Sequence, residues 1–181
     1  MQRPPPLACN QGVGSTADVR LPGNGSAFED FVRAAGPGLL RLGHVLTLDR
    51  PAAEDLAQET LIRVGLAWSR VRADGNPTGY AQRTMVNVFL NQRRRRGEIP
   101  VGDPPESPAE DRGLAAVESA AGIRELLARL PARQRAAVAM RYVVDMADEQ
   151  IAEVLRCSPQ TVRSQISRGL ATLRQHSAPE R

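Results

Sequence analysis

The chain has no lysine: all 24 basic side chains among its 181 residues are arginine. Aromatic residues make up only 3% of it, cysteine occurs twice, and no apolar run has transmembrane length. Each scarcity excludes something. Crossing a bilayer takes about 20 consecutive apolar residues, so no membrane-spanning helix is expected. The stretch from Met1 to Gly25 holds prolines and glycines but lacks the central apolar run of a signal peptide. Cys9 and Cys157 are too few and too far apart for a metal site or a disulfide scaffold. They read as free thiols in a reducing compartment, so a cytoplasmic protein with no metal and no cofactor is expected. The arginine bias is what a GC-rich genome produces, and it carries no functional weight alone.

A hydrophobic content of 41% is enough for buried cores, and the length suits one medium domain or two small ones. The net charge of +4 fits an anionic partner only modestly; the distribution of charge says more. Residues 1–25, rich in Pro, Gly, Asn and Ser without periodicity, read as a disordered tail. Residues 26–97 carry helical patterning. Over 98–118, Pro100, Pro104, Pro105 and Pro108 alternate with Glu98, Asp103, Glu106, Glu110 and Asp111. Proline-rich, acidic sequence resists helix and sheet, so this stretch reads as a flexible linker. Helical periodicity returns over 119–175, and 176–181 form a short tail. No run alternates as a strand does, which leaves an all-α fold of two small helical domains joined by the acidic linker.

In the first domain, Ser26 and Glu29 have capping-box spacing ahead of Phe28, Phe31, Val32 and Leu39. Gly36-Pro37-Gly38 is expected to kink or split that helix. A second helix is expected near Pro51, with Glu54 and Asp55 complementing its dipole and Leu56, Thr60, Leu61, Val64 and Trp68 facing inward. A third starts at Asn76-Pro77 and runs into the arginines. Along 80–96, at about 100° per residue, Ala81, Met85, Val88 and Phe89 gather on one side, extended by Val86 and Leu90. Arg83, Asn87, Asn91 and Arg94 gather on the other, with Tyr80 among them. Guanidinium groups attract phosphate, amides bond base edges, and a ring stacks on an unpaired base, so this stripe points to nucleic acid. The competing explanation is an ordinary solvated face whose terminal Arg93, Arg94, Arg95 and Arg96 complement the helix dipole.

The second domain contains a helix-turn-helix pattern. Asp148–Leu155 forms a short helix with Ala152 small enough for close packing, and Arg156-Cys157-Ser158 is a tight turn. Ser158 is a good N-cap, and Pro159 suits the first turn of the next helix, about 159–174. There Val162, Ile166, Gly169, Leu170 and Leu173 face inward, while Gln160, Thr161, Arg163, Ser164, Ser167 and Arg168 face outward. Such groups near a helix N-terminus suit reading of the DNA major groove. A plain antiparallel helix pair with a basic face is the alternative.

Leu130-Pro131, Gln134-Arg135, Ile151-Ala152, Cys157-Ser158, Thr161 to Ser164 and Arg168-Gly169-Leu170 together resemble region 4 of the extracytoplasmic-function (ECF) sigma factors, a branch of the sigma-70 family. Asp55 to Thr60 through Trp68 resembles their region 2.2, and Tyr80 to Arg96 their regions 2.3 and 2.4. The likeness spans roughly residues 26–175, and its details sit nearest an actinobacterial subgroup. The resemblance implies a non-catalytic initiation subunit that binds the RNA polymerase core, through its β′ and β subunits, and promoter DNA; an anti-sigma factor is a further partner by family. It implies that Asp55, Gln58 and Glu59 dock to the β′ coiled coil. Tyr80, Arg83, Asn87 and Asn91 would hold the melted minus-10 element, and Arg93 to Arg96 its phosphates. Ser158, Gln160, Thr161, Arg163, Ser164 and Arg168 would meet the minus-35 element.

Four positions depart from the family pattern. Arg156 replaces a glycine and, if left-handed, costs about 1 kcal/mol. Ala147 replaces a capping Ser or Thr, forfeiting about 1 kcal/mol unless Asp148 or Asp145 substitutes. Gln165 stands where a basic residue is usual, and Asn91 where an acidic one is.

Two rival functions compete. A stand-alone helix-turn-helix repressor or activator accounts for 119–175 but not for the stripe around Tyr80. A hydrolase using Asp55 and Glu59 lacks a nearby histidine and a second carboxylate cluster, so no catalytic residue is assigned.

Overall fold

In a computed structural model, residues 25–97 and 120–177 are described. The expected tail 1–25, apart from Gly25, and the linker 98–118 lie outside them. All regular elements among the described residues are helices: α1 Gly25–Thr47, α2 Arg50–Leu66, α3 Trp68–Ala73, α4 Pro77–Arg95, α5 Ala120–Ala128, α6 Ala132–Tyr142, α7 Asp148–Leu155 and α8 Pro159–Ser177.

Of the kink or split expected in the first helix, the split does not occur. α1 runs unsplit through Pro37, because Phe31 before the proline and Leu39, Leu42 and Leu46 after it are buried in one core. That burial, at about 1.5–3 kcal/mol per large apolar side chain, outweighs the single hydrogen bond that proline removes. The second helix also differs from expectation. Its N-cap is Asp49, whose Oδ1 accepts the Ala52 N–H at 2.9 Å. Glu54 and Asp55 lie beyond the first turn, and Glu54 pairs with Arg50 at 3.0 Å instead of complementing the dipole. α2 stops at Leu66, and Trp68 opens a separate short helix rather than extending the inner face of α2. There Trp68 packs against Phe28 and Phe31, both with ring centroids 5.1 Å away. The scarce aromatics are thus concentrated where α1 meets α3. α1 and α2 approach closely at Gly43, where a Cβ would sit 3.1 Å from the Ala53 carbonyl oxygen.

α4 is capped by Asn76, whose Oδ1 accepts the Gly79 N–H at 2.8 Å. It buries Ala81, Met85, Val86, Val88 and Phe89, the face set out by the periodicity. In the second half, α6, α7 and α8 pack together, and Gly169 admits Val138, whose Cγ2 would lie 3.0 Å from a Cβ there. α8 continues to Ser177, two residues past the expected boundary at 175. The two halves share one apolar core, with α6 against α1 and α4, and α7 against α4.

Both backbone departures around the helix-turn-helix take shape here. Arg156 is left-handed, at φ 52° and ψ 54°. At Ala147 the missing cap is made up from the other side: Gln150 Oε1 accepts the Ala147 N–H at 3.1 Å. Asp148 and Glu149 place negative charge in the first turn of α7. Replacing exposed Arg156 by glycine removes the Cβ penalty of the left-handed region, so Arg156→Gly is expected to stabilise the fold by about 0.5–1 kcal/mol. Thermal unfolding followed by circular dichroism checks this; an upward shift of about 1–4 °C is expected for a chain of this size.

Candidate functional site

The polar stripe of α4 is fixed by the burial of its opposite face. Asn87 and Asn91 are exposed, while Arg83 and Tyr80 are half-buried. Tyr80 therefore does not stand free in solvent: its ring packs against the core, and its hydroxyl accepts from Arg70 Nη2 at 3.4 Å. That leaves the ring held at a helix start. The four terminal arginines separate into two kinds. Arg94, Arg95 and Arg96 are exposed, whereas Arg93 is half-buried, with its guanidinium 5.3 Å from the centre of the Phe89 ring. Arg135 of α6 lies over the same ring at 5.8 Å. Attraction between a cation and an aromatic face is worth about 0.5–2 kcal/mol, so Phe89 ties α4 to the second half of the molecule.

α8 is positioned by its cap. Ser158 Oγ accepts the Thr161 N–H at 3.1 Å and lies 3.0 Å from Thr161 Oγ1. Gln160, Arg163, Ser164 and Arg168 are exposed and Thr161 is half-buried. No acidic residue occurs in α8, so the positive potential of its helix N-terminus is not cancelled from within the helix. Gln165 points elsewhere: it is 8% exposed, with no hydrogen-bond partner for its Oε1 among the described residues. A basic side chain at that position would face the same burial, which gives a physical reason for its replacement by an amide.

On α2, Asp55 and Gln58 are exposed, but Glu59 is half-buried. Its carboxylate accepts from Arg63 Nη2 at 2.6 Å and from Gln92 Nε2 at 2.9 Å, linking α2 to α4. Asp55 in turn shares a shallow pocket with Ala52, Gln92, Arg95 and Arg96. Beside Asp55 and Gln58 runs an open groove lined by Phe28, Val32, Leu40, Leu61, Ile62 and Leu66. Ile62 and Leu66 are 58% and 81% exposed there, far more than large apolar residues in a packed helix usually are. Sequence reasoning overlooked this groove. The signal was present, since Ile62 and Leu66 fall outside the inward set Leu56, Thr60 and Val64 and make α2 apolar on a second side.

Among the described residues no group of His, Cys, Asp and Glu is placed to hold a metal ion, and no helix is long and apolar enough to cross a membrane.

Two helices with outward polar stripes, α4 and α8, the second of them the last helix of a helix-turn-helix, are the arrangement that the resemblance to a transcription-initiation subunit implies. Comparisons with known proteins agree. Sigma-70 region 2 matches residues 31–99, and Sigma-70, region 4 matches residues 121–173. The RNA polymerase sigma-E factor of Streptomyces coelicolor is 32% identical over 150 residues, covering 82% of this chain and 84% of that one. The ECF RNA polymerase sigma factor SigM of Mycobacterium tuberculosis is 30% identical over 185 residues, covering 94% and 92%. Among solved structures, the sigma factor RpoE of Bartonella quintana, crystallised with the anti-sigma factor NepR, superposes with a TM-score of 0.65. It is 22% identical and covers 86% of this chain and 99% of that one; this likeness speaks for the fold. The chain belongs to the sigma-70 family, as an ECF sigma factor. It is a non-catalytic subunit that binds RNA polymerase core and promoter DNA and directs promoter-specific initiation.

The geometry separates Glu59 from its neighbours. Glu59→Ala is expected to lower the thermal midpoint by a few degrees in the absence of polymerase. It removes a charge-assisted bridge worth about 1 kcal/mol after allowance for partial exposure. Asp55→Ala and Gln58→Ala are expected to leave the midpoint within about 1 °C. Parallel unfolding of the three variants checks this.

Proposed function

We propose that the work of initiation is divided among three surfaces of this chain. Residues 26–97 form the unit that docks to the polymerase core and holds the minus-10 element. Residues 119–175 form the unit that reads the minus-35 element. Asp55 and Gln58, with the adjoining groove at Ile62 and Leu66, form the docking surface for the β′ coiled coil: an apolar seat with acidic groups at its rim, complementary to a helix carrying apolar and basic residues. Glu59 belongs to the same surface but acts chiefly by fixing α2 against α4.

Tyr80, Arg83, Asn87 and Asn91 capture and read unpaired bases, and Arg94, Arg95 and Arg96 grip neighbouring phosphates, with Arg93 held closer to the protein. Ser158, Gln160, Thr161, Arg163, Ser164 and Arg168 meet the minus-35 duplex in its major groove. Neither contact has to be tight alone, because the polymerase holds both at a fixed spacing and the second becomes effectively intramolecular. The observation that carries this reading is the pair of outward polar stripes, on α4 and on α8, each opposed by an apolar face that packs into the core. A free-standing repressor needs only the second. The location proposed is the cytoplasm, where polymerase and chromosome are, and an anti-sigma protein is proposed as a further partner, as for RpoE with NepR.

In vitro transcription with core polymerase tests the assignment. The full chain is expected to confer promoter-specific initiation and, without polymerase, to give no specific gel shift; specific binding by the chain alone would instead favour the repressor. Arg83→Ala is expected to reduce promoter opening, read by permanganate reactivity, at least tenfold, while affinity for core polymerase changes less than twofold. A collapse of core affinity would move Arg83 from the DNA face to the polymerase face.

A further inference from the structure

Asp148 is the first residue of α7, and its carboxylate is placed between two arginines from other helices. Its Oδ1 lies 3.8 Å from Arg141 Nη1 at the end of α6, and its Oδ2 lies 4.0 Å from Arg163 Nη1 in α8. The Asp148 side chain is only 16% exposed, whereas those of Arg141 and Arg163 are 41% and 62% exposed. Arg141 is itself anchored, donating from Nη1 to the Met146 carbonyl at 3.1 Å. A chain of contacts thus runs from the loop between α6 and α7, through Arg141 and Asp148, to an outward-facing arginine of the recognition helix. The other acidic groups of α7, Glu149 and Glu153, are exposed.

A long, freely rotating arginine must give up rotamer freedom to bond a base edge. A carboxylate near its guanidinium, here at 4.0 Å, favours poses on that side beforehand and so reduces the freedom lost on meeting a base. The same carboxylate repels DNA phosphates, so it works against non-specific binding. We propose that Asp148 is a positioning residue for promoter reading, setting the pose of Arg163 for its base contact while lowering affinity for DNA of any sequence. This rests on the reading of α8 as the minus-35 helix.

The sign of the effect separates this role from a structural one. A residue that merely stabilises α7 would, when replaced, weaken specific and non-specific binding together. A positioning carboxylate, when replaced, lowers sequence preference while non-specific affinity holds or rises. The experiment uses holoenzyme assembled from core polymerase and the full chain, selecting promoters from a library randomised across the minus-35 element. Salt-dependent affinity for random-sequence duplex is measured in parallel.

Arg163→Ala is expected to remove base preference at one or two adjacent positions. Asp148→Asn is expected to weaken preference at those same positions by about tenfold, with random-duplex affinity unchanged or higher. Asp148→Glu, which still reaches both arginines, is expected to restore most of the preference. Asp148→Asn combined with Arg163→Ala should lose no more than Arg163→Ala alone. If Arg163→Ala erases the preference and Asp148→Asn leaves it intact, the positioning role is overturned and the reading of α8 stands. A uniform loss at every position together with a lowered thermal midpoint overturns it in favour of a structural role. If Arg163→Ala changes no base preference, the reading of α8 and the proposal fall together.

Discussion

α4 has to bury one side completely and leave the other free, and the rest of the molecule is arranged around that requirement. Ala81, Met85, Val86, Val88 and Phe89 are at most 2% exposed, and together they receive α1 and α2 from one half of the chain and α6 and α7 from the other. An interior packed to near-crystalline density allows little rotation of a helix about its axis. The exposed asparagines and the arginines of α4 are therefore held in orientation by residues on its buried face. Glu59 adds a polar tie to the same helix through Gln92. Phe89 extends the arrangement across the boundary between the halves, because its ring carries a guanidinium from each.

Arginine explains why net charge says so little here. With no lysine in the chain, every cationic task falls to one side chain, and several of those tasks are architectural. Arg133 donates to the Leu155 carbonyl at 2.7 Å, Arg135 to the Leu127 carbonyl at 3.1 Å and Arg141 to the Met146 carbonyl at 3.1 Å. Leu127 and Leu155 lie in the last turns of α5 and α7, where helix carbonyls run short of intrahelical donors; the Leu127 carbonyl also accepts the Leu130 N–H at 3.2 Å. A planar fork of donors suits that work well. Arg135, at 5% exposure, adds nothing to an outward DNA-binding field. What distinguishes the DNA-suited arginines is exposure on a stripe shared with amides and hydroxyls, as on α8.

The parts legible in the sequence were those fixed by local period and capping. The inward face of α4 and the exposure of Asn87, Asn91 and Arg94 follow from spacing alone, though Tyr80 and Arg83 are half-buried, and the bounds of α7 and the start of α8 follow from Ser158 and Pro159. The parts that were not legible depend on contacts between residues far apart in the chain. Pro37 breaks a helix on local grounds, yet Phe31, Leu39, Leu42 and Leu46 keep α1 continuous through it by packing in the core that α1 shares with α2 and α4. Trp68 fits the inward period of α2, yet its ring is claimed by Phe28 and Phe31 and begins a new helix. Glu59 carries the pattern of a docking residue; its i,i+4 pairing with Arg63 was open to sequence reasoning, whereas its bond to Gln92 of α4 was not. The groove beside it was missed because only Leu56, Thr60, Leu61, Val64 and Trp68 were placed, all inward, and Ile62 and Leu66, exposed on another side of α2, were given no role.

The turn between α7 and α8 shows how a locally unfavourable sequence keeps its geometry. Arg156 occupies a left-handed conformation that glycine would adopt more easily, and Ala147 offers no side-chain cap. Each defect is small, about 1 kcal/mol, and each is met by a neighbour rather than repaired in place. The Arg156 conformation is closed by its own N–H to the Glu153 carbonyl and by the Cys157 N–H to the Ala152 carbonyl, a helix-ending pattern that relieves the orphaned carbonyls of α7. Arg133 covers the Leu155 carbonyl beside it. At the other end of α7, Gln150 satisfies the Ala147 N–H, and the carboxylates of Asp148 and Glu149 supply the charge that a helix start favours. Once Asp148 replaces a side-chain cap as the stabilising feature of that helix start, its charge also stands next to α8. The same substitution pattern that spares α7 therefore places a carboxylate 4.0 Å from Arg163 of α8, the contact on which the proposed positioning of Arg163 rests.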